Sequence, residues 1–160
     1  MPARFPAILA RRMKDIHAFV GIACLALNAL AAVWGGVAWA RRDPSVSFWP
    51  VLRVAQASVV VEVLLGVVLL IQGSKPPDSL HYVYAVAPLV IALVTEAMRA
   101  DAARREIDEM GDDVDPDTLP RREQILLARR VVVREIGIMT IGVILIVTLL
   151  LRAAQSGGAF

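Results

Sequence analysis

The sequence predicts an all-α protein: an integral membrane, up-down bundle of four helices. Three observations predict it. Hydrophobic residues make up 58% of the 160 residues and mean hydropathy is +0.64, more apolar than a soluble domain needs to be. Four apolar runs, at about 16–40, 51–72, 80–98 and 131–151, each have the length of a helix that crosses a bilayer. Turn residues and charges fall mainly between these runs. One domain over 1–160 accounts for the chain, with a charged helix-loop-helix extension at about 99–130.

The first run follows a short basic segment with Arg4, Arg11, Arg12 and Lys14. A basic segment, an apolar run and a closing Ala38-Trp39-Ala40 also outline a secretory signal peptide. The run is long for a signal core, so it is read as a retained first span. Arg41-Arg42-Asp43-Pro44 stops it. Phe48, Trp49 and Pro50 form an interfacial lead-in to the second span. Residues 73–79, Gly-Ser-Lys-Pro-Pro-Asp-Ser, read as a turn by composition.

The third span starts at about Leu80, with Tyr82 and Tyr84 in an aromatic belt. From Arg99 the chain becomes charged but keeps helix formers as far as Met110. The third helix is therefore expected to continue into water and end near Gly111. Residues 112–120 read as an acidic loop. Asp117 or Thr118 is expected to cap the last helix, with Pro120 in its first turn. That helix begins amphipathic and basic, with Arg121, Arg122, Arg129, Arg130 and Arg134, and becomes the fourth span near Val131. It is expected to end at Arg152, before a flexible tail.

Four spans put both termini on one side of the membrane. Six of the 17 basic residues fall on that side: Arg4, Arg11, Arg12, Lys14, Lys75 and Arg152. The other eleven fall on the side of the two remaining loops. The richer side should be cytoplasmic, which puts the termini and the Pro-Pro turn outside the plasma membrane.

Several chemistries are excluded. Cys24 is the only cysteine, so there is no intramolecular disulfide, no dithiol redox cycle and no zinc site built on cysteines. Cys24 itself reads as a small packing residue. Met13 lies one turn before His17, but one methionine and one histidine make too few ligands for copper. Asp113, Asp115 and Asp117 have the spacing that opens an EF-hand loop. Thr118 then stands where a glycine is needed and Gln124 where a bidentate glutamate is needed, so no EF-hand is read. The chain shows no phosphate-cradling glycine loop, no hydrolase nucleophile motif and no nucleic-acid signature.

The histidines carry the leading hypothesis. The chain has two, His17 and His81. Each sits at the start of an apolar span, and spans one and three run parallel. Both imidazoles should then lie at one depth, a geometry that suits haem b with His17 and His81 as its metal ligands. Small residues follow each at helical spacing: Gly21, Cys24, Asn28, Ala31 and Gly35 after His17, and Ala85, Pro88 and Ala92 after His81. They leave room for a flat macrocycle, although small residues also line ordinary membrane helix contacts. The second ring nitrogens would need partners. Arg4, Arg11 and Arg12 are near enough in sequence to pair haem propionates.

The motifs resemble a family. His17 with Gly21, then Glu62-Val-Leu-Leu-Gly66, then Leu80-His81 with Ala85 are similar in order and spacing to one half of a heme A synthase. Such halves carry His-x-x-x-Gly, Gln-x-x-Leu-Gly and Leu-His-x-x-x-Ala on successive helices. The resemblance covers roughly 16–95. Glu62 stands where the family has glutamine, and one half is present where the synthase has two. The resemblance implies haem-b binding in a four-helix bundle, as in small membrane-bound b-type cytochromes, and not heme A synthesis.

Glu62 is the candidate catalytic residue. An ionisable group near the middle of a span is costly and usually functional. It is suited to relay a proton or to accept a hydrogen bond from a histidine or a quinone. It also suits a structural role, bonded to Asn28, Gln56 or a backbone carbonyl. Arg53, Gln56, Glu96, Arg99, Arg134 and Glu135 gather at the inner ends of the spans, either as one polar network or as separate snorkelling anchors.

The expected function is a haem-b-binding membrane cytochrome exchanging electrons with a quinone or a partner protein. Two other classes stay open. One is a non-catalytic membrane subunit or assembly factor that docks through the acidic stretch 100–124. The other is a small proton-coupled transporter that uses Glu62. Whether the chain forms a homo-oligomer is also open.

Overall fold

A computed structural model describes residues 4–111 and 115–157, with side chains from Arg11 onward. The Arg4 side chain, Asp112 and Asp113 therefore lie outside the described residues. The elements are α1 (Arg4–Ala40), α2 (Phe48–Ile71), α3 (Leu80–Ala100), α4 (Ala102–Asp108) and α5 (Arg121–Ser156). A single 3-10 turn, Pro116–Thr118, precedes α5, and there is no strand among the described residues. Four segments are long and apolar enough to cross a membrane: Arg11–Ala40, Phe48–Ile71, Leu80–Asp108 and Arg121–Ser156.

The last helix organises the bundle. α5 packs along both α1 and α3, α2 packs along α1, and α2 touches α3 only sparsely. Half of the most apolar window of α5 is buried inside the protein, against 17% for each of the other three. Its buried face presents Ile136, Met139, Val143, Ile146 and Leu150. One core cluster joins Ile136 and Met139 to Ala31, Phe48 and Leu52. A second joins Ile146 and Leu150 to Cys24 and Val59. Small residues let the helices approach: a Cβ at Gly35 would lie 2.7 Å from the Phe48 ring, and one at Gly137 would lie 2.7 Å from the Trp39 indole nitrogen. The outer faces stay apolar as well, with Phe19, Val33, Leu64 and Leu93 exposed. That is the exterior a helix presents to lipid, where its backbone is already satisfied internally.

The segment boundaries depart from the sequence reading in instructive ways. α1 begins well before the first apolar run, so the basic stretch holding Arg11, Arg12 and Lys14 is helical. Phe48 is not an interfacial side chain: it is fully buried beneath Gly35, while Trp49 is half-buried and lies under the Arg99 guanidinium at 5.6 Å. The third helix pauses at Asp101, continues as α4 and stops at Asp108, with Gly111 at φ 105°. α4 packs on α5 through charge. Glu106 pairs with Arg134 at 2.9 Å and with Arg130 at 3.4 Å, and Glu109 pairs with Arg134 at 2.7 Å.

The expected cap of α5 is replaced. The Asp115 side chain accepts from the Asp117 backbone N–H at 3.0 Å, and the Thr118 hydroxyl donates to the Asp115 carbonyl at 2.8 Å. Those bonds commit both candidate caps to the 3-10 turn. Pro120 is still extended (φ −53°, ψ 141°), so α5 starts at Arg121 without a side-chain cap. At its other end α5 passes Arg152 and runs to Ser156, so the first residues of the expected tail are helical.

Candidate functional site

The two histidines meet. His17 on α1 and His81 in the first turn of α3 have ring centroids 6.4 Å apart, with the ring planes at 75°. The chain positions them by simple means. α2 ends at Ile71, Gly73 takes φ 81°, and the turn through Pro76 and Pro77 hands the chain to α3. The Asp78 carboxylate accepts from the Leu80 backbone N–H at 2.9 Å, satisfying one of the free donors at the start of α3. His81 thus emerges at the level of His17, which sits several turns into α1.

The two rings differ in what stands at Nδ1: His81 has a hydrogen-bond partner there, and His17 has a carboxylate nearby that it does not bond. His81 Nδ1 lies 2.9 Å from the Ala153 carbonyl oxygen on α5, which can only accept. Nδ1 therefore carries a hydrogen and donates it to that carbonyl, which leaves Nε2 as the nitrogen able to ligate a metal. Ser156 Oγ is 3.4 Å from the same Nδ1. His17 Nδ1 lies 3.1 Å from Glu62 Oε1 on α2, with the side chains 21% and 17% exposed. The pair is close but not hydrogen-bonded: His17 Nδ1 and the Oε2 of Glu62 are both buried without a hydrogen-bond partner. Glu62 is thus at the level of the histidines, a little past the middle of α2.

Asn28 and Gln56 do not serve Glu62. The Asn28 amide donates to the Cys24 and Ala55 carbonyls at 2.9 Å and 3.3 Å, and the Gln56 amide donates to Glu96 at 2.9 Å.

The rings and the carboxyl line a cavity of about 590 Å³, bounded by α1, α2, the Pro-Pro turn, α3 and the last turns of α5. That is within the range of small-molecule and cofactor sites. Glycines shape it. A Cβ at Gly21 would come 2.8 Å from Glu62 Oε1, and one at Gly157 would come 3.0 Å from the His81 ring. A Cβ at Gly66 would make only ordinary contact with the His17 ring, at 3.6 Å. The stripe below His17 does not extend this space. Cys24, Asn28, Ala31 and Gly35 are all buried in helix contacts, so the room for a ligand lies at the histidine end alone.

These residues fit a metal-centred planar group. Two metal–imidazole bonds of about 2 Å, together with the depth of the two rings, separate ring centres by roughly 6 Å. The observed 6.4 Å matches that span. The Nδ1 partner of His81, the glycine clearances and the apolar lining match it as well. Among the described residues no cluster of three or more His, Cys, Asp or Glu forms a metal site by itself, so a bare ion would have too few ligands here.

Other candidates lie elsewhere. Arg11 and Arg12 are exposed and do not line the cavity, whereas Lys14 and Lys75 do. The polar residues at the opposite end divide in two. Arg53 pairs with Glu96, which also binds Gln56 and Arg99, and Arg99 reaches Glu135 at 3.4 Å. Arg134 is committed to α4 instead. Ala153, Ser156 and Gly157 are contributions that sequence reasoning missed. They come from the end of the last helix, more than seventy residues from His81, and nothing local to them signals a role. Compared with protein-family models, curated proteins and solved structures, the chain matches none.

Proposed function

We propose that the chain is a small membrane cytochrome that holds haem b between His17 and His81 and exchanges electrons with a quinone or a partner protein. The observation that carries this reading is the imidazole pair, 6.4 Å between ring centres across an apolar cavity. The similarity of 16–95 to one half of a heme A synthase points the same way.

Bound haem supplies one-electron chemistry whose potential depends on its axial ligands and their surroundings. The protein does the rest. The Ala153 carbonyl fixes the His81 tautomer and ring orientation. Glu62 stands beside Nδ1 of His17 and would play the same part from α2 once the ring turns its N–H onto the carboxylate. Gly21 and Gly157 keep both supports in place by having no side chain. Val59, Leu69 and Leu150 give the inner part of the cavity apolar walls. In this reading the helices cross the plasma membrane with the termini and the histidine end outside, following the excess of basic residues on the other side.

An optical spectrum of the purified protein tests the reading, taken oxidised and after dithionite reduction, beside His17→Ala and His81→Ala. A sharp Soret band with resolved α and β bands on reduction, weakened in both variants, is expected. A colourless wild-type protein made with ample haem defeats the reading and leaves a non-catalytic membrane subunit as the better one.

A further inference from the structure

The chain has two lysines, Lys14 and Lys75, and both line the histidine cavity. Neither position is explained by the histidine chemistry. Lys14 lies one helical turn before His17 on α1, about 4.5 Å along the axis. Lys75 lies in the turn that leads to His81. Each lysine thus belongs to the segment immediately preceding one of the two rings. Both are exposed while the rings are half-buried, so the ammonium groups mark the mouth and the imidazoles the interior. Asp15 also borders the cavity, which leaves the mouth with one acid against two cations. Deeper in, Val59, Leu69 and Leu150 are buried and apolar.

The ligand this cavity fits is therefore amphipathic, with an apolar body near the rings and a doubly anionic edge at the mouth. We propose that Lys14 and Lys75 hold the two carboxylates of the haem, and so fix it with its acidic edge toward the Pro-Pro turn. This rests on the haem reading and assigns the anion-binding role to the lysines rather than to Arg11 and Arg12. Two point charges on flexible stems suit the task, because an ammonium at a wet mouth meets a carboxylate without either being fully desolvated.

Titrating the full-length apoprotein in detergent with iron protoporphyrin IX and, separately, with its dimethyl ester tests the assignment. The ester keeps the iron and the ring but has no charge at its edge. Wild type should bind the free acid at least tenfold more tightly than the ester. The Lys14→Gln, Lys75→Gln double variant should lose that preference by weakening for the free acid alone, with the ester affinity and Soret position unchanged. Equal binding of both by wild type, or equal weakening of both in the variant, overturns the lysine role while leaving the bis-histidine haem intact. Failure of wild type to bind either porphyrin overturns the haem reading itself. The wild-type comparison needs no variant, so misfolding of the double variant cannot hide the answer.

Discussion

Oε1 of Glu62 lies 3.1 Å from Nδ1 of His17, joining α2 to α1 at the level where α3 brings in His81. A carboxyl in an apolar span is expensive, and this one has its second oxygen buried without a protein partner. Its position beside the ring of a proposed iron ligand gives that cost a purpose: orienting the ring.

Removing the carboxyl should therefore loosen the ligand rather than abolish the fold. Glu62→Ala is expected to weaken haem binding by about 10–100-fold, the usual cost of losing a group that orients a ligand. Glu62→Gln, which keeps a polar acceptor, should lose less. A Soret titration of each variant measures this, and an unchanged affinity in Glu62→Ala would deny Glu62 any part in holding the ring.

Gly21 acts through the same carboxyl. Its missing Cβ would stand 2.8 Å from Glu62 Oε1, and the flexible glutamate end would yield. Gly21→Val should displace the carboxyl from His17 and weaken haem binding in the same direction as Glu62→Ala. The two losses should not add, because both remove one contact. Fully additive losses in the double variant would place Gly21 in a separate role.

Gly157 guards the other ring. A Cβ there would meet the His81 ring and the Ala153 carbonyl at 3.0–3.1 Å. Gly157→Val should press His81 away from its acceptor, giving a high-spin component in the oxidised spectrum with the helical content retained. A purely low-spin spectrum would show that the end of α5 does not position His81.

At the opposite end Glu96 receives Arg53, Gln56 and Arg99, and Arg99 also lies over Trp49. Glu96→Ala leaves two guanidiniums competing for Glu135 and solvent. The cost should be about 1–3 kcal/mol, limited by the partial exposure of the group. A lower midpoint of thermal unfolding is expected, with the haem spectrum of the folded protein unchanged. A changed spectrum would mean that the two ends are coupled.

Glu106 fastens α4 to α5 through Arg130 and Arg134. Glu106→Ala should speed hydrogen exchange over Ala102–Asp108 by releasing that short helix, which is too short to hold itself. Exchange in α3 and in the apolar half of α5 should not change. Wholesale loss of protection would make α4 part of the main folding unit.

The helices were legible in the sequence because apolar runs of this length have few other outcomes. So was the meeting of His17 and His81, since equal depth follows from topology once spans one and three run parallel. Phe48 was misread because an aromatic beside Trp49 and Pro50 looks interfacial, and only the absence of a side chain at Gly35 makes a buried seat for it. Asp117 and Thr118 were misread because residues that cap helices also make short turns, and the extended Pro120 settles which they do. For the polar residues near the inner ends the sequence left one network and separate anchors both open. Their division into the Glu96 network and the Arg134 pairs depends on α4 folding back onto α5.

Composition and spacing alone determined four apolar helices, two equivalent histidines and a carboxyl set within a span. Those follow from length, periodicity and the cost of charge in an apolar segment, all local along the chain. Only the tertiary structure decided that α5 lies between α1 and α3, that Ala153 and Gly157 hold His81, that Glu62 stands beside His17, and that Lys14 and Lys75 share one cavity. Apolar faces fit together in many rotations about their axes with similar burial. Small-residue contacts such as those at Gly35 and Gly137 select one rotation, and with it the neighbours of every polar side chain.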